Sequence, residues 1–148
     1  MTGDIRIERP PGVVFETVAD QRNEPRYNPG LVSAELLTEG PVGVGTRFAA
    51  VHRSGRSTTE MTVEIIEYDP PARIASVTHG PWGRVSGALT FAPAGANATR
   101  MHWSWAVQLR GPARLLGPLN GVIGRRRERA CWEGLKHYLE HPGEPEPC

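Results

Sequence analysis

The hydrophobic pattern changes period after residue 30, and this change limits the folds open to the chain. Between residues 31 and 109, apolar side chains recur at every second position, which is the period of a β-strand. Short turns that contain glycine, proline or serine interrupt the pattern, and strands joined by such turns pair antiparallel. Six strands are predicted here, over residues 31–39, 46–53, 58–69, 74–80, 82–93 and 99–109.

Helical patterns flank this run of strands. Alternation at 4–8 predicts a first strand, and 11–19 places a proline in the first turn of a helix, ahead of apolar positions on one face. Two prolines limit 21–30 to a short helical turn. Residues 119–140 contain no proline and are rich in helix formers, which predicts a long closing helix. The proline-rich segment 141–148 is expected to be a disordered tail.

This order of elements predicts an α+β fold. We expect a curved antiparallel sheet of about seven strands, wrapped around the long C-terminal helix, with two short helices after the first strand. The helix covers the concave apolar face of the sheet. Because a sheet that curls around one helix leaves space beneath it, a ligand cavity is expected between the two.

Composition excludes several classes of protein. Lysine and arginine number 17 against 16 acidic residues, and a net charge of +1 argues against a nucleic-acid binder. Sparse cysteine predicts that Cys131 and Cys148 are free thiols in a reducing compartment. No stretch has the length of a membrane span, and the charged N-terminus does not fit a signal peptide. A cytoplasmic protein, either a monomer or a homodimer, is therefore expected.

Four arginines fall within five positions of the closing helix. On a helical wheel, Arg125 and Arg129 point away from the apolar stripe and Arg126 lies on its flank. Arg127 and Asn120 lie within the stripe, so both are predicted to face the cavity.

A guanidinium facing the cavity needs an oxygen partner, because an unpaired buried charge is costly. Arg127 could bind a ligand oxygen, pair with a protein acid, or extend to the rim of the cavity. The phase of the helix is a separate open point. An irregularity at Gly121 or Gly124 would turn Glu128 inward beside Arg127.

Aromatic and polar side chains on the predicted inner faces supply the other candidates. His52 shares its strand face with the inward position Phe48, although a surface or fully bonded histidine is the alternative. The apolar candidates either line the cavity or fill the core. The predicted ligand-binding residues are Phe48, Met61, Trp82, Trp103, Trp105, Asn120 and Arg127, and the catalytic candidates are Arg127, His52 and Tyr27.

Motifs for other chemistries are absent from the sequence. His137 and His141 are spaced for one helix face, but no third ligand is near them, so no metal site is expected. The segment "GVGTRF" at 43–48 lacks a third glycine and precedes a strand, which predicts a hairpin turn with positive φ at Gly43 and Gly45. No serine-hydrolase elbow occurs, and no cofactor is expected.

The chain resembles the START-like, or Bet v 1-like, superfamily, and in particular its bacterial polyketide cyclase/dehydrase-type members. The resemblance runs from about Asp4 to Glu140. It is carried by "IERPPGVVFETVAD", "EPRYNPGLVSAELL", "TEGPVGVGTRF", "VEIIEYDPPARIA" and "GLKHYLE". One departure is Tyr27, since the family commonly has a tryptophan before "NP". The resemblance implies one helix-grip domain over residues 1–140, with a cavity between the sheet and the last helix.

Fold alone does not fix the function, so three hypotheses stay open. The first is a binding protein for a small hydrophobic or aromatic molecule of lipid or polyketide type. The second is a cyclase or aromatase that promotes aldol cyclisation or dehydration in the cavity. The third is an interaction protein with a closed cavity. Few polar residues share the predicted inward faces, which favours binding over catalysis.

Overall fold

The computed structural model describes residues 2–111 and 117–141, without the side chains of residues 54 and 117–124. Helix α1 covers Pro11–Ala19, as predicted, and a 3₁₀ helix follows at Gln21–Arg26. The closing helix α2 covers Gly117–Glu140. The strands are β1 (Thr2–Ile7), β2 (Leu31–Leu36), β3 (Arg47–Ser54), β4 (Ser57–Asp69), β5 (Arg73–Gly80), β6 (Gly83–Pro93) and β7 (Thr99–Leu109).

The seven strands form one antiparallel sheet in the order β1-β7-β6-β5-β4-β3-β2. The six strands β2 to β7 pair in chain order because short turns join them, and β1 adds to the free edge of β7. The predicted α+β architecture with a curved sheet and a closing helix is confirmed. None of the helices in the described ranges is long and apolar enough to cross a membrane.

Strand β2 is shorter than predicted, because the chain leaves the sheet after Leu36. The turn that follows contains Gly40 at φ 88° and Gly45 at φ 91°. A left-handed conformation of this kind favours glycine, which has no side chain to clash with the backbone. The prediction for Gly43 was wrong, since Gly40 and not Gly43 takes positive φ in this turn.

A dense core fills one end of the space between sheet and helices. Ile7, Phe15, Phe48, Met101 and Leu135 are each 0% exposed. The ring of Phe15 meets two further aromatic rings edge-on, with centroids 5.3 and 5.4 Å away. Burying each of these side chains contributes about 1.5–3 kcal/mol, so this end of the molecule anchors the fold.

The C-terminal half of α2 is fixed to the start of the chain. Lys136 Nζ donates to the backbone oxygen of Arg6 at 2.9 Å, and Glu140 accepts from the backbone N–H of Glu8 at 2.8 Å. Gly134 lets the helix pack directly against the backbone of Tyr27, since a Cβ at this position would overlap the Tyr27 carbonyl oxygen. The closing helix therefore has a defined position over the sheet.

Candidate functional site

A cavity of about 460 Å³ lies between the concave face of the sheet and α2. It exists because small residues occupy the middle of this face. Ser76 pairs with Gly87, and Gly87 pairs with Trp105 on the next strand. A Cβ at Gly87 would lie 2.7 Å from the Trp105 ring, so the indole uses the space that glycine leaves. Ala50 adds a third small position to the wall.

Burial along two elements shows which end of the cavity is open. On α2, exposure falls from the exposed Arg127 to 4% at Cys131 and 0% at Leu135. On β7 it falls from 45% at Val107 to 3% at Trp103. The mouth therefore lies near Arg127 and Val107, and the floor lies at the level of Cys131.

The structure brings five of the predicted residues to the cavity wall: His52, Met61, Trp82, Trp105 and Arg127. Asn120 falls on α2 where side chains lie outside the described residues.

Phe48 and Trp103 are not cavity-lining residues, contrary to the prediction. Phe48 is completely buried in the core below the floor. Trp103 packs against Trp132, with ring centroids 6.1 Å apart. The strand face was assigned correctly for both, but alternation does not tell how deep along the strand the cavity ends.

Arg127 lies at the mouth rather than deep inside. The residue is exposed overall while still lining the cavity, which corresponds to the rim interpretation. Across the mouth, burial and then the charge of Arg127 lower the pKa of His52, so this imidazole tends to be neutral. Arg125, Arg126 and Arg129 are exposed, and the Arg129 guanidinium lies 5.8 Å from the centroid of the Trp103 ring.

Glu128 is the residue of this helical turn that points inward, which is the alternative phase considered for the helix. Its Oε1 accepts hydrogen bonds from the indole N–H of Trp105 at 2.5 Å and of Trp132 at 2.8 Å. Burial raises the pKa of Glu128, and the two indole hydrogen bonds oppose that rise. The two indoles thus fix the carboxyl in the cavity wall.

A second carboxyl, Glu24, enters the wall from the 3₁₀ helix. Its Oε1 accepts from Asn28 Nδ2 at 2.8 Å. Burial raises the pKa of Glu24 to about 7, hydrogen bonds from Asn28 and Gln21 oppose the shift, and the charge of Glu128 adds to it. Glu24 is therefore close to half protonated near neutral pH, which suits a proton donor or acceptor.

Sequence reasoning missed Glu24 because the 3₁₀ helix has no apolar period to orient it. The available signal was local. Asp20 caps the start of this helix by accepting a hydrogen bond from the backbone N–H of Arg22 at 3.1 Å, and Pro25 lies within the helix. Two prolines in a short segment after a helix mark a rigid connection. They do not show which of its side chains faces the cavity.

Cys131 lines the floor of the cavity near Glu24, whereas the catalytic candidate Tyr27 lies behind the wall and does not line it. Cys131 is 4% exposed and lines the cavity, and burial raises its pKa well above the usual range. Tyr27 is 5% exposed, and burial followed by the charge of Glu24 raises its pKa as well. Both side chains therefore keep their protons at neutral pH. Among the described residues, the Tyr27 hydroxyl has no hydrogen-bond partner.

His137 in the last turn of α2 and His141 just after the helix lie side by side outside the cavity. The ring centroids of His137 and His141 are 4.7 Å apart. Within residues 2–111 and 117–141, no group of three histidine, cysteine, aspartate or glutamate side chains comes together as a metal site would require.

Comparisons with solved structures show the fold. A protein of Thermus thermophilus superposes with a TM-score of 0.83 at 21% identity, over 97% of this chain and 99% of the other. A START superfamily protein of Mycobacterium smegmatis gives 0.82 at 13% identity, over 95% and 96%. The Zhui aromatase/cyclase of Streptomyces sp. R1128 gives 0.76 at 17% identity, over 98% of each chain.

No protein of curated function matches the chain in sequence. A family model does match it, over residues 1–140, which is nearly the whole chain. The chain therefore belongs to the family described as polyketide cyclase / dehydrase and lipid transport.

Proposed function

We propose that the protein binds a small, mainly apolar molecule in the cavity between the sheet and α2. The observation that carries this proposal is the cavity itself, about 460 Å³ in volume and open at the Arg127 end. Such a volume lies in the range of small-molecule sites, which are mostly apolar with a few directed polar groups. Membership of a family described by polyketide and lipid chemistry supports the same class of ligand.

The distribution of polar groups gives a bound molecule an orientation. Met61, Val63 and Ile65 of β4 offer an apolar surface to its body. Arg127 and His52 meet an oxygen acceptor at the mouth, and Glu24 and Glu128 meet the inner end. A ligand of matching length contacts both ends at once.

Filling the cavity tests the proposal directly. Ser76→Leu places a branched side chain in the wall, whereas Ser86→Leu makes the same exchange on the opposite face of the neighbouring strand. Native mass spectrometry and thermal shift with fatty acids and aromatic polyketides are expected to find a ligand for the wild type and for Ser86→Leu. Ser76→Leu is expected to lose it. Equal binding by both variants would place the ligand outside the cavity.

A cyclase or aromatase reaction is the second candidate, and Glu24 is the observation that favours it. A carboxyl with a pKa of about 7 in a cavity wall can take and return a proton during enolisation. Arg127 could polarise a carbonyl, with His52 as a neutral base at the mouth. Tyr27 keeps its proton and is the weakest of the catalytic candidates. Turnover of a poly-β-keto substrate, lost in Glu24→Gln while binding persists, would establish catalysis.

Partners and location stay predictions from the sequence. We propose a cytoplasmic monomer or homodimer whose partner is a small hydrophobic molecule and not a nucleic acid. Size-exclusion chromatography with light scattering measures the oligomeric state. A nucleic-acid gel-shift experiment at physiological salt is expected to show no complex.

A further inference from the structure

We propose that the inner end of the cavity recognises a protonated amine on an apolar or aromatic ligand, held between the carboxyls of Glu24 and Glu128. This inference rests on the proposed function, since it specifies the chemistry of the molecule that the cavity binds. It assigns a role to two acidic residues that a purely apolar site would not need.

The cavity wall contains two acidic side chains. Several acidic side chains elsewhere in the described residues form ion pairs with arginine or lysine, among them Glu8, Asp20 and Glu140. The two cavity carboxyls bond to neutral donors instead: side-chain amides for Glu24 and two indole N–H groups for Glu128. Neutral donors orient a buried carboxylate but do not themselves neutralise its charge. A ligand cation would compensate it.

Behind the wall lies the hydroxyl of Tyr27, which has no hydrogen-bond partner among the described residues. Tyr27 is 5% exposed, and no side chain or backbone group of the described residues hydrogen-bonds its hydroxyl. The hydroxyl lies within electrostatic range of Glu24 and Cys131, which both line the cavity. Because a buried unsatisfied hydroxyl is costly, Tyr27 adds a polar group without a partner close to the carboxyl at the inner end. An ammonium group carries three N–H donors, enough for both carboxyls.

The two ends of the cavity differ in charge. Arg127 and His52 at the mouth favour an acceptor or an anion, whereas the inner end repels an anion. A ligand carboxylate is therefore expected to bind only at the mouth, whereas a ligand amine is expected to bind at the floor. The apolar side chains of β4 and the ring of Trp105 surround the body between these ends.

Proton binding gives the proposal its sharpest consequence. Glu24 has a pKa of about 7, so below that pH it binds a proton that an incoming ammonium displaces to solvent. Its titratable neighbours are Glu128 and Cys131 on α2 and Tyr27 beyond the 3₁₀ helix. His52 and Arg127 face the cavity from the mouth. Amine affinity is thus expected to rise about tenfold per pH unit below pH 7 and to level off above it.

Three probes that share a naphthylmethyl group test this: naphthylmethylamine, naphthylmethanol and naphthylacetate. Calorimetry and tryptophan fluorescence of the full chain, between about pH 5 and pH 8, measure their affinities. At pH 8 the amine is expected to bind about tenfold tighter than the alcohol, and the acetate weakest. The alcohol is expected to show no pH dependence. Acetate binding as tight as that of the amine, or amine affinity independent of pH, overturns the proposal.

Variants assign the effect to the two carboxyls. Glu24→Gln is expected to abolish the pH slope for the amine, and Glu128→Gln to weaken amine binding about tenfold at constant alcohol affinity. Glu60→Gln, on an exposed position of β4, is the matched control and is expected to bind as the wild type does. A slope that persists in Glu24→Gln belongs to another group, such as His52, and contradicts the assignment.

Binding of the alcohol distinguishes failure of the amine proposal from failure of the proposed function. Suppose that the alcohol binds, that Ser76→Leu abolishes this binding, and that the amine binds no tighter than the alcohol. The cavity then binds ligands, but the amine proposal is wrong. If none of the three probes binds at millimolar concentration, the amine proposal fails. If fatty acids and polyketides then also fail to bind, the proposed function is contradicted as well.

Discussion

Glu24 links the protonation of one side chain to the stability of the fold. In the unfolded chain its pKa is near 4.5, and in the folded protein it is about 7. Below pH 4.5 the Glu24 carboxyl is protonated in both the folded and the unfolded state. Between pH 4.5 and pH 7 it is mainly protonated in the folded state only. The free energy of unfolding therefore falls as pH rises through this range, and the loss is complete above pH 7.

Glu24→Gln removes this titration while keeping a side chain of similar shape. We expect the variant to match the wild type near pH 4 and to exceed its free energy of unfolding by on the order of 2 kcal/mol at pH 8. Urea unfolding at several pH values measures the difference. The lowered pKa of His52 changes stability in the opposite direction as pH falls below the unfolded value of 6.5, but both proteins share this effect. Parallel pH profiles would show that Glu24 is not buried as a charged group.

Arg127 and Glu128 show which residue-level features a sequence can predict. The wheel identified the correct helical turn, because the apolar stripe repeats along α2. It did not fix the phase, which depends on where the helix begins and on the two indoles that bond Glu128. Those indoles belong to β7 and to the next turn of α2, and neither contact can be read from the spacing of residues.

Among the elements, the strands were predictable and the depth of the cavity was not. Alternation with a period of two occurs in any half-buried strand, so all seven strands lie close to their predicted positions, although β2 ends early at Leu36. Phe48 and Ala50 share one face of β3, yet Phe48 lies in the core and Ala50 lines the cavity. What separates them is the position of α1 and of the 3₁₀ helix over the sheet, which follows from long-range packing.

Gly134 of α2 contacts the backbone of Tyr27, directly after the 3₁₀ helix. This contact predicts a stability change opposite in sign to the one expected from helix propensity. Gly134→Ala would normally stabilise a helix by about 1 kcal/mol. Here the new Cβ would overlap the carbonyl oxygen of Tyr27, and backbone has little freedom to move away. We expect a net destabilisation of about 1–3 kcal/mol, measured by urea unfolding.

Gly12→Ala is the matched control for this contact. Gly12 lies in the first half of α1, and a Cβ there would have no heavy atom within 4 Å. The same exchange is expected to stabilise the protein by up to about 1 kcal/mol. If both variants gain stability, α2 does not pack against the 3₁₀ helix as closely as the structure indicates.

Hydrogen bonds connect the first strand to the sheet and the residue after it to the last helix. β1 pairs with β7 through the register Thr2–Ser104 to Ile7–Thr99. At the end of that strand, Glu140 accepts from the Glu8 N–H and from Lys136 Nζ, the latter at 2.5 Å. These bonds hold the closed, solid end of the sheet–helix pair, opposite the cavity mouth. Ligand entry therefore does not require this end to open.

Glu140→Gln tests how much this closure contributes. Burial opposes ionisation of Glu140, but hydrogen bonds from Lys136 and from the Glu8 backbone outweigh it and lower the pKa of this carboxyl. Its stabilisation is present above the unfolded pKa near 4.5 and is lost as pH falls through the lower folded value. We expect the variant to lose about 1 kcal/mol of unfolding free energy at pH 7 and less at pH 3. Thermal unfolding at both pH values measures this, with Glu16→Gln on the exposed face of α1 as control. A loss of equal size at pH 3 would mean that Glu140 acts through packing and not through its charge.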